Sequence, residues 1–181
     1  MVDTLKPYTM ITDFVTGKEV PNIGAEENRQ AVERYLVEEK RYLKEDIAVD
    51  VDIEMTVAGE PYRSQVDLVV RPITADIRFM VIKCAAGSLG SREREILAAA
   101  RLLESYQIPF AVVSDGKTAV VLDTVSGKKL AAGMNSIPSK DKAIEIIESL
   151  EPRPFPTERR EREKLIFRSY DSMNVKVSRN I

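Results

Sequence analysis

Two short stretches of the sequence decide the fold: YRSQVDLVV at residues 62–70 and IRFMVIKCA at residues 77–85. Each contains a run that is apolar on both faces, which is typical of a central β-strand covered on both sides. Each run also holds one charged residue, Asp67 in the first and Lys83 in the second. Because a charge is costly to bury, it persists in a core when it is paired or binds a metal ion. These two residues are therefore the first candidates for a functional site.

Asp67 and Lys83 have two interpretations that the sequence leaves open. On neighbouring strands the two side chains can form a buried salt bridge with a purely structural role. In the functional interpretation, Asp67 binds a hard cation, while Lys83 orients a water molecule or stabilises a developing negative charge.

The elements around these strands predict an α/β fold with a mixed sheet flanked by helices. Helix-forming residues with apolar periodicity predict three helices, over 25–44, 92–106 and 140–149. Ser91 and Ser139 are expected to cap the second and third helices. Strict alternation over residues 47–57 predicts a strand whose six apolar side chains all point to one face.

The pattern D-x-V-[TS]-G-K occurs twice, at residues 13–18 and 123–128. A glycine preceded by a short polar residue is a turn signal, and the repeated segment is far too short for a solenoid unit. The pattern therefore favours two similar hairpin turns over a functional repeat.

The last part of the chain differs in composition from the rest. Pro152, Pro154 and Pro156 interrupt the helical pattern, and alternating acidic and basic residues follow. We predict a single domain over 1–150, followed by a Pro-rich linker and a charged helical tail over 151–181. The charge pattern of the tail favours a solvated helix or an oligomer contact over a phosphate-binding arm.

The composition excludes several classes of function. The 181 residues include 27 Lys and Arg against 29 Asp and Glu, a net charge of −2, which excludes a strongly basic protein that coats nucleic acid. The absence of His excludes Ser-His-Asp chemistry and His-ligated zinc. The sequence has neither an apolar run long enough to span a membrane nor a signal-peptide pattern, so we expect a cytoplasmic protein. Any catalysis would use carboxylates, lysine, hydroxyls or an oxygen-ligated metal.

Three groups of residues, in this order, resemble the N-terminal domain of type I restriction enzyme R subunits, a member of the PD-(D/E)xK nuclease superfamily. They are Glu26-Glu27-Asn28-Arg29-Gln30 on the first predicted helix, Gln65–Val70 on one strand, and Val81-Ile82-Lys83 on the next. The resemblance covers about residues 10–135. It implies a restriction-endonuclease-like fold and cleavage of DNA phosphodiester bonds with Mg²⁺, for which Mn²⁺ can substitute.

The resemblance also implies roles for individual residues. Asp67 corresponds to the first metal-binding aspartate of the family, and Lys83 to the motif lysine. Glu26 corresponds to the glutamate of the first helix, with Glu27 as its competitor. The second motif carboxylate belongs two residues before Lys83, where this chain has Val81.

Two explanations for Val81 are open. In the first, Glu93 or Glu95 on the following helix supplies the missing metal ligand, although both also suit a solvated helix start. In the second, the site has decayed, and the domain only binds nucleic acid or a protein partner.

DNA binding requires basic or polar groups beside such a site. Arg29 and Gln30 on the first helix, and Arg92 and Arg94 on the second, are candidate phosphate contacts. The sequence has no nucleotide-binding motif of a helicase, so we expect the protein to act alone or with a separately encoded restriction-system subunit. A homodimer is expected because double-strand cleavage usually needs two sites.

Overall fold

The computed structural model describes residues 8–178. Residues 1–7 of the predicted domain and 179–181 of the predicted tail lie outside the described residues. The strands are β1 (Met10–Thr12), β2 (Glu19–Pro21), β3 (Ile47–Val57), β4 (Glu60–Val70), β5 (Met80–Cys84), β6 (Phe110–Ser114), β7 (Ala119–Asp123) and β8 (Lys129–Ala132). The α-helices are α1 (Glu26–Glu38), α2 (Gly90–Leu102), α3 (Lys140–Glu148) and α4 (Thr157–Ser178).

Six strands form one mixed sheet in the order β3-β4-β5-β6-β7-β8, while β1 and β2 form a separate hairpin. All neighbours in the large sheet are antiparallel except β5 and β6, which are parallel. A parallel pair needs a crossover connection, and α2 provides it. The predicted α/β fold with a mixed sheet flanked by helices is confirmed.

The sheet has an apolar cluster on each face. One face packs against α2, and Phe167 of α4 completes that cluster. The other face packs against α1 through Val32 and Leu36, and against α3 through Ala143. No helix among residues 8–178 is both long and apolar enough to cross a membrane.

Strand β3 does not keep one face toward one core, and the prediction that it does is wrong. Ile47 and Val49 pack with the α1 cluster, whereas Val51 and Ile53 pack with the α2 cluster. The change occurs at Asp50, which has a φ of +52°. A residue in this left-handed region breaks the two-residue period of a strand, so the side chains beyond it face the other way.

The two D-x-V-[TS]-G-K segments form matching turns, as predicted. In each turn the aspartate carboxylate accepts the backbone N–H three residues later, at 2.7 Å in both cases. The aspartate carbonyl accepts the glycine N–H, at 2.8 Å in both. Gly17 and Gly127 each have a φ of +71°, a conformation that favours glycine.

The helix ends differ from the predictions in two places. Helix α1 ends at Glu38, and the chain leaves it through Arg41, which has a φ of +64°. Helix α2 begins before Ser91, whose hydroxyl donates to the Ser88 carbonyl at 2.8 Å, so Ser91 is not its cap. Ser139 does cap α3 and accepts the Lys142 N–H at 3.3 Å.

The Pro-rich segment and α4 pack onto the rest of the chain. The Arg153 carbonyl accepts the Gln107 N–H at 2.8 Å, and Phe155 is buried. On α4, the buried Glu163 pairs with two arginines of α2, Arg94 at 2.9 Å and Arg101 at 3.0 Å. Residues on both sides of position 150 share one apolar cluster, because Phe167 of α4 packs with α2 and the sheet.

Candidate functional site

Strands β4 and β5 separate at the positions of Asp67 and Lys83. Their pairing runs from Val70 and Met80 to Leu68 and Ile82. Beyond that point β5 stays paired with β6 as far as Cys84. We call the opening next to Asp67 and Lys83 the β4–β5 fork.

Asp67 is held inside the β4–β5 fork by a backbone contact. Its Oδ2 accepts the Cys84 N–H at 2.8 Å, so a side chain satisfies an amide beyond the last paired residues of β4 and β5. This hydrogen bond leaves Oδ1 directed toward Lys83, at 3.6 Å from Nζ. The pairing of Asp67 with Lys83, one of the two interpretations that the sequence left open, is present in the structure.

Lys83 contacts a second carboxylate, which comes from α2. Its Nζ lies 3.2 Å from Oε1 of Glu95, whose side chain is 4% exposed. The side chains of Lys83 and Asp67 are 16% and 23% exposed, so the group is reached from solvent mainly at Asp67. Of the two glutamates considered for the missing carboxylate, the structure brings Glu95 to Lys83, whereas Glu93 lies on a partly exposed face.

The electrostatics of the fork follow from burial and from the two acids. Burial on its own would lower the pKa of Lys83, but the charges of Asp67 and Glu95 raise it to about 12. Burial raises the pKa of Glu95, and Asp171 adds to this effect, while Lys83 opposes it. Lys83 is therefore a cation at neutral pH.

Asp171 of α4 is a neighbour of the site that the sequence did not reveal. Its carboxylate is buried, accepts the Ser64 hydroxyl at 2.8 Å and also accepts the Tyr62 hydroxyl. Its charge acts on both Lys83 and Glu95. The only signal in the sequence was an acidic residue at a helical position four after Phe167, which alone does not separate a buried acid from a solvated one.

The two carboxylates of the fork suit Mg²⁺ better than they suit an ion whose ligands all come from protein side chains. Among residues 8–178, no group of three or more His, Cys, Asp or Glu side chains has the spacing of metal ligands. Asp67 and Glu95 nevertheless both contact the ammonium of Lys83. Mg²⁺ in proteins commonly uses one or two carboxylates and completes its shell with water and phosphate oxygens. Two carboxylates beside an open fork match that requirement.

The other residues proposed on α1 lie in a second cluster of charges around Arg29. Glu26 accepts Arg29 Nη2 at 2.7 Å and Gln30 Nε2 at 2.8 Å through the same oxygen. Arg29 also contacts Asp13 and Asp50, at 3.3 Å and 2.8 Å. Both Arg29 and Gln30 are buried. The donor groups of both side chains are thus occupied by carboxylates of the protein itself, and Gln30 Oε1 accepts the Phe14 N–H at 2.6 Å.

Arg92 and Arg94 are partly exposed on α2, where Arg92 lies beside Glu95 of the fork and Arg94 faces α4. Arg92 Nη1 is 3.9 Å from Glu95, and Arg94 binds Glu163 through Nη1 and Nη2 at 2.9 Å and 3.1 Å. Each arginine side chain remains about one-third exposed, at 32% and 35%. Arg92 can present positive charge to a ligand at the site, whereas the guanidinium of Arg94 is already paired with Glu163 of α4.

Comparison with known protein families assigns the chain to one of them. A family model of the type I restriction enzyme R protein N terminus matches residues 24–138, more than half of the sequence. The chain belongs to this family. No curated protein and no solved structure matches it.

Membership in the R protein N-terminus family confirms the predicted relationship and the restriction-endonuclease-like fold. The matched span includes α1, the β4–β5 fork and α2, and so Asp67, Lys83 and Glu95. Asp171 and the rest of α4 lie outside it. The family relates the chain to restriction systems.

Proposed function

We propose that this protein is a Mg²⁺-dependent DNA endonuclease whose site consists of Asp67, Lys83 and Glu95. The observation that supports this most strongly is the position of Glu95. Its carboxylate comes from α2 to within 3.2 Å of the motif lysine, while Val81 occupies the usual place of a carboxylate. The site therefore contains two acids and one lysine, with the second acid supplied by α2 instead of β5.

Each residue of the site would have one task. Asp67 and Glu95 would hold Mg²⁺, or Mn²⁺ in its place, and the ion when bound would polarise a phosphate and lower the pKa of water. Lys83 would orient the attacking water and stabilise the negative charge that develops on the phosphate. Because its pKa is about 12, Lys83 would act as a cation and not as a general base.

The DNA backbone would approach along the exposed side of α2. Arg92 would contact phosphates there, joined by Arg94 once its guanidinium leaves Glu163, and such contacts supply orientation without reading sequence. Glu26, Arg29 and Gln30 would support the site from α1. Cleavage of both strands would require a second site, from a homodimer or from a separately encoded restriction-system subunit.

A second candidate function is a non-catalytic module that binds nucleic acid or a partner protein. The observation that favours it is that the Lys83 ammonium already contacts both carboxylates, at 3.6 Å and 3.2 Å. In such a protein the three charges would form a closed structural network. Val81, which is fully buried, would then mark the loss of a former metal ligand.

Nicking of supercoiled DNA separates the two functions. With Mg²⁺ or Mn²⁺ the wild type is expected to nick DNA, and Asp67→Asn and Lys83→Met are each expected to lower the rate about 100-fold or more. Lys142→Met, at an exposed lysine of α3, serves as the control and should cleave normally. A folded wild type that binds DNA regardless of metal and never nicks it would rule out the endonuclease and favour the binding module.

A further inference from the structure

Strands β3 and β4 change faces at the same point. The register pairs Val49 with Leu68 and Val51 with Val66, which places Asp50 opposite Asp67 between them. On β4, Val66 packs with the α2 cluster and Leu68 with the α1 cluster, although alternation would put both on one face. The side chains of both strands therefore switch from one face of the sheet to the other at the same place, at Asp50 in β3 and at Asp67 in β4.

This change of faces depends on an unusual backbone conformation at Asp50. Its φ of +52° lies in the left-handed region, which residues with a Cβ adopt reluctantly and glycine adopts freely. Aspartate tolerates this region better than most residues but does not prefer it inside a strand. Something outside the strand is needed to keep Asp50 there.

Arg29 is the group that holds Asp50. Its Nη1 lies 2.8 Å from Asp50 Oδ1. The guanidinium is itself fixed, because its Nε and Nη2 donate to Glu26 at 2.9 Å and 2.7 Å, and Nη2 also contacts Asp13. Arg29 is 6% exposed, so it cannot relax into solvent without breaking these contacts.

The change of faces has a direct consequence for Asp67. On the N-terminal side of Leu68, strand β4 no longer pairs with β5. There the Asp67 carboxylate accepts the Cys84 N–H instead. An Asp50 that returned to ordinary extended backbone would move the opposite residue, Asp67, and with it this hydrogen bond. Asp67 and Arg29 are thus linked through Asp50.

We propose that Arg29 is a positioning residue that places Asp67 in the β4–β5 fork by holding Asp50 in the left-handed conformation. The proposal relies on the proposed function only in treating Asp67 as a site residue. It gives Arg29 a role different from the phosphate contact expected from the sequence. Glu26, through two hydrogen bonds to Arg29, belongs to the same arrangement.

Amide exchange at Cys84 in the metal-free protein tests the proposal, because that N–H reports directly on Asp67. Arg29→Ala is expected to speed exchange of the Cys84 N–H about tenfold or more, with amides of β7 as the internal reference. Adding Asp50→Gly to Arg29→Ala should restore protection, since glycine needs no partner to keep a positive φ. Asp50→Ala in the same background removes the same charge and should not restore it.

The single variants keep the test decisive if Arg29→Ala does not fold. With Arg29 in place, Asp50→Gly should retain protection of the Cys84 N–H, and Asp50→Ala should lose it. Equal protection in both single variants, or an unchanged Cys84 amide in Arg29→Ala, would overturn the proposal and return Arg29 to the candidate DNA contacts. Because the measurement uses neither metal nor cleavage, it stands even if the endonuclease assay fails.

Discussion

Glu95→Gln is expected to reduce metal-dependent DNA cleavage about 100-fold or more, whereas Glu93→Gln leaves it within about twofold of the wild type. Glutamine has the shape of glutamate and keeps an oxygen for Lys83. It lacks the negative charge that a divalent cation requires. Asp67 and Glu95 both contact Lys83, so replacing Glu95 removes one of the two carboxylates that would bind the ion directly.

Glu93 is a well-matched control for Glu95. The two residues have the same side chain, lie two positions apart on α2, and change the net charge equally when replaced. They differ in position, since Glu95 is buried beside Lys83 and Glu93 is partly exposed. Plasmid nicking at several Mg²⁺ concentrations measures both variants. Equal losses in the two variants, or full activity of Glu95→Gln, would show that Glu95 has not replaced the carboxylate missing at Val81.

Glu33→Gln is expected to stabilise the protein above neutral pH by about 3 kcal/mol relative to its effect at pH 4. Glu33 is fully buried on α1, and its Oε2 accepts the Val15 N–H at 3.1 Å. Within residues 8–178, its Oε1 has no hydrogen-bond partner and lies 3.8 Å from Arg29 Nε. Burial first, and the nearby charge of Asp13 second, raise the pKa of Glu33 to about 7.

The direction of the pH dependence follows from the raised pKa. Below a pH of about 4.5 both folded and unfolded chains keep the proton on Glu33. As the pH rises toward 7, the unfolded chain loses the proton and the folded chain keeps it, so the free energy of unfolding falls. Glutamine has no proton to lose, and the variant therefore escapes this decline.

Urea unfolding of the wild type and Glu33→Gln between pH 4 and 8 measures the effect. The difference between their free energies of unfolding should grow across that range and level off above pH 7. Glu38→Gln, at an exposed glutamate of the same helix, should show no such growth. A pH-independent difference for Glu33→Gln would mean that the pKa of Glu33 is the same in the folded and unfolded protein, so that burial does not raise it.

The sequence contained most of the information about the large sheet. The apolar runs around Asp67 and Lys83 predicted two central strands, and the structure places these strands side by side. The two D-x-V-[TS]-G-K segments predicted their turns because the aspartate and the glycine each meet a local backbone requirement. Such local features depend on residues close in sequence, which a pattern can show.

The features that the sequence did not predict depend on contacts between distant residues. Alternation in β3 continues through Asp50, so the sequence does not show that the side chains change faces there, where the backbone has a positive φ and Asp50 contacts Arg29. Glu93 and Glu95 both suited an inward or an outward position on α2 until the packing of the helix was known. Asp171 lies more than a hundred residues from its partners Tyr62 and Ser64, beyond the reach of any local pattern.

The most direct measurement of the central claim is an anomalous difference map from crystals soaked in Mn²⁺. If Asp67 and Glu95 hold the cation of an endonuclease, a manganese peak should lie within bonding distance of both carboxylates and disappear in Glu95→Gln crystals. Well-ordered crystals that bind Mn²⁺ only at other acidic residues, or not at all, with Lys83 still between the two carboxylates, would contradict the claim.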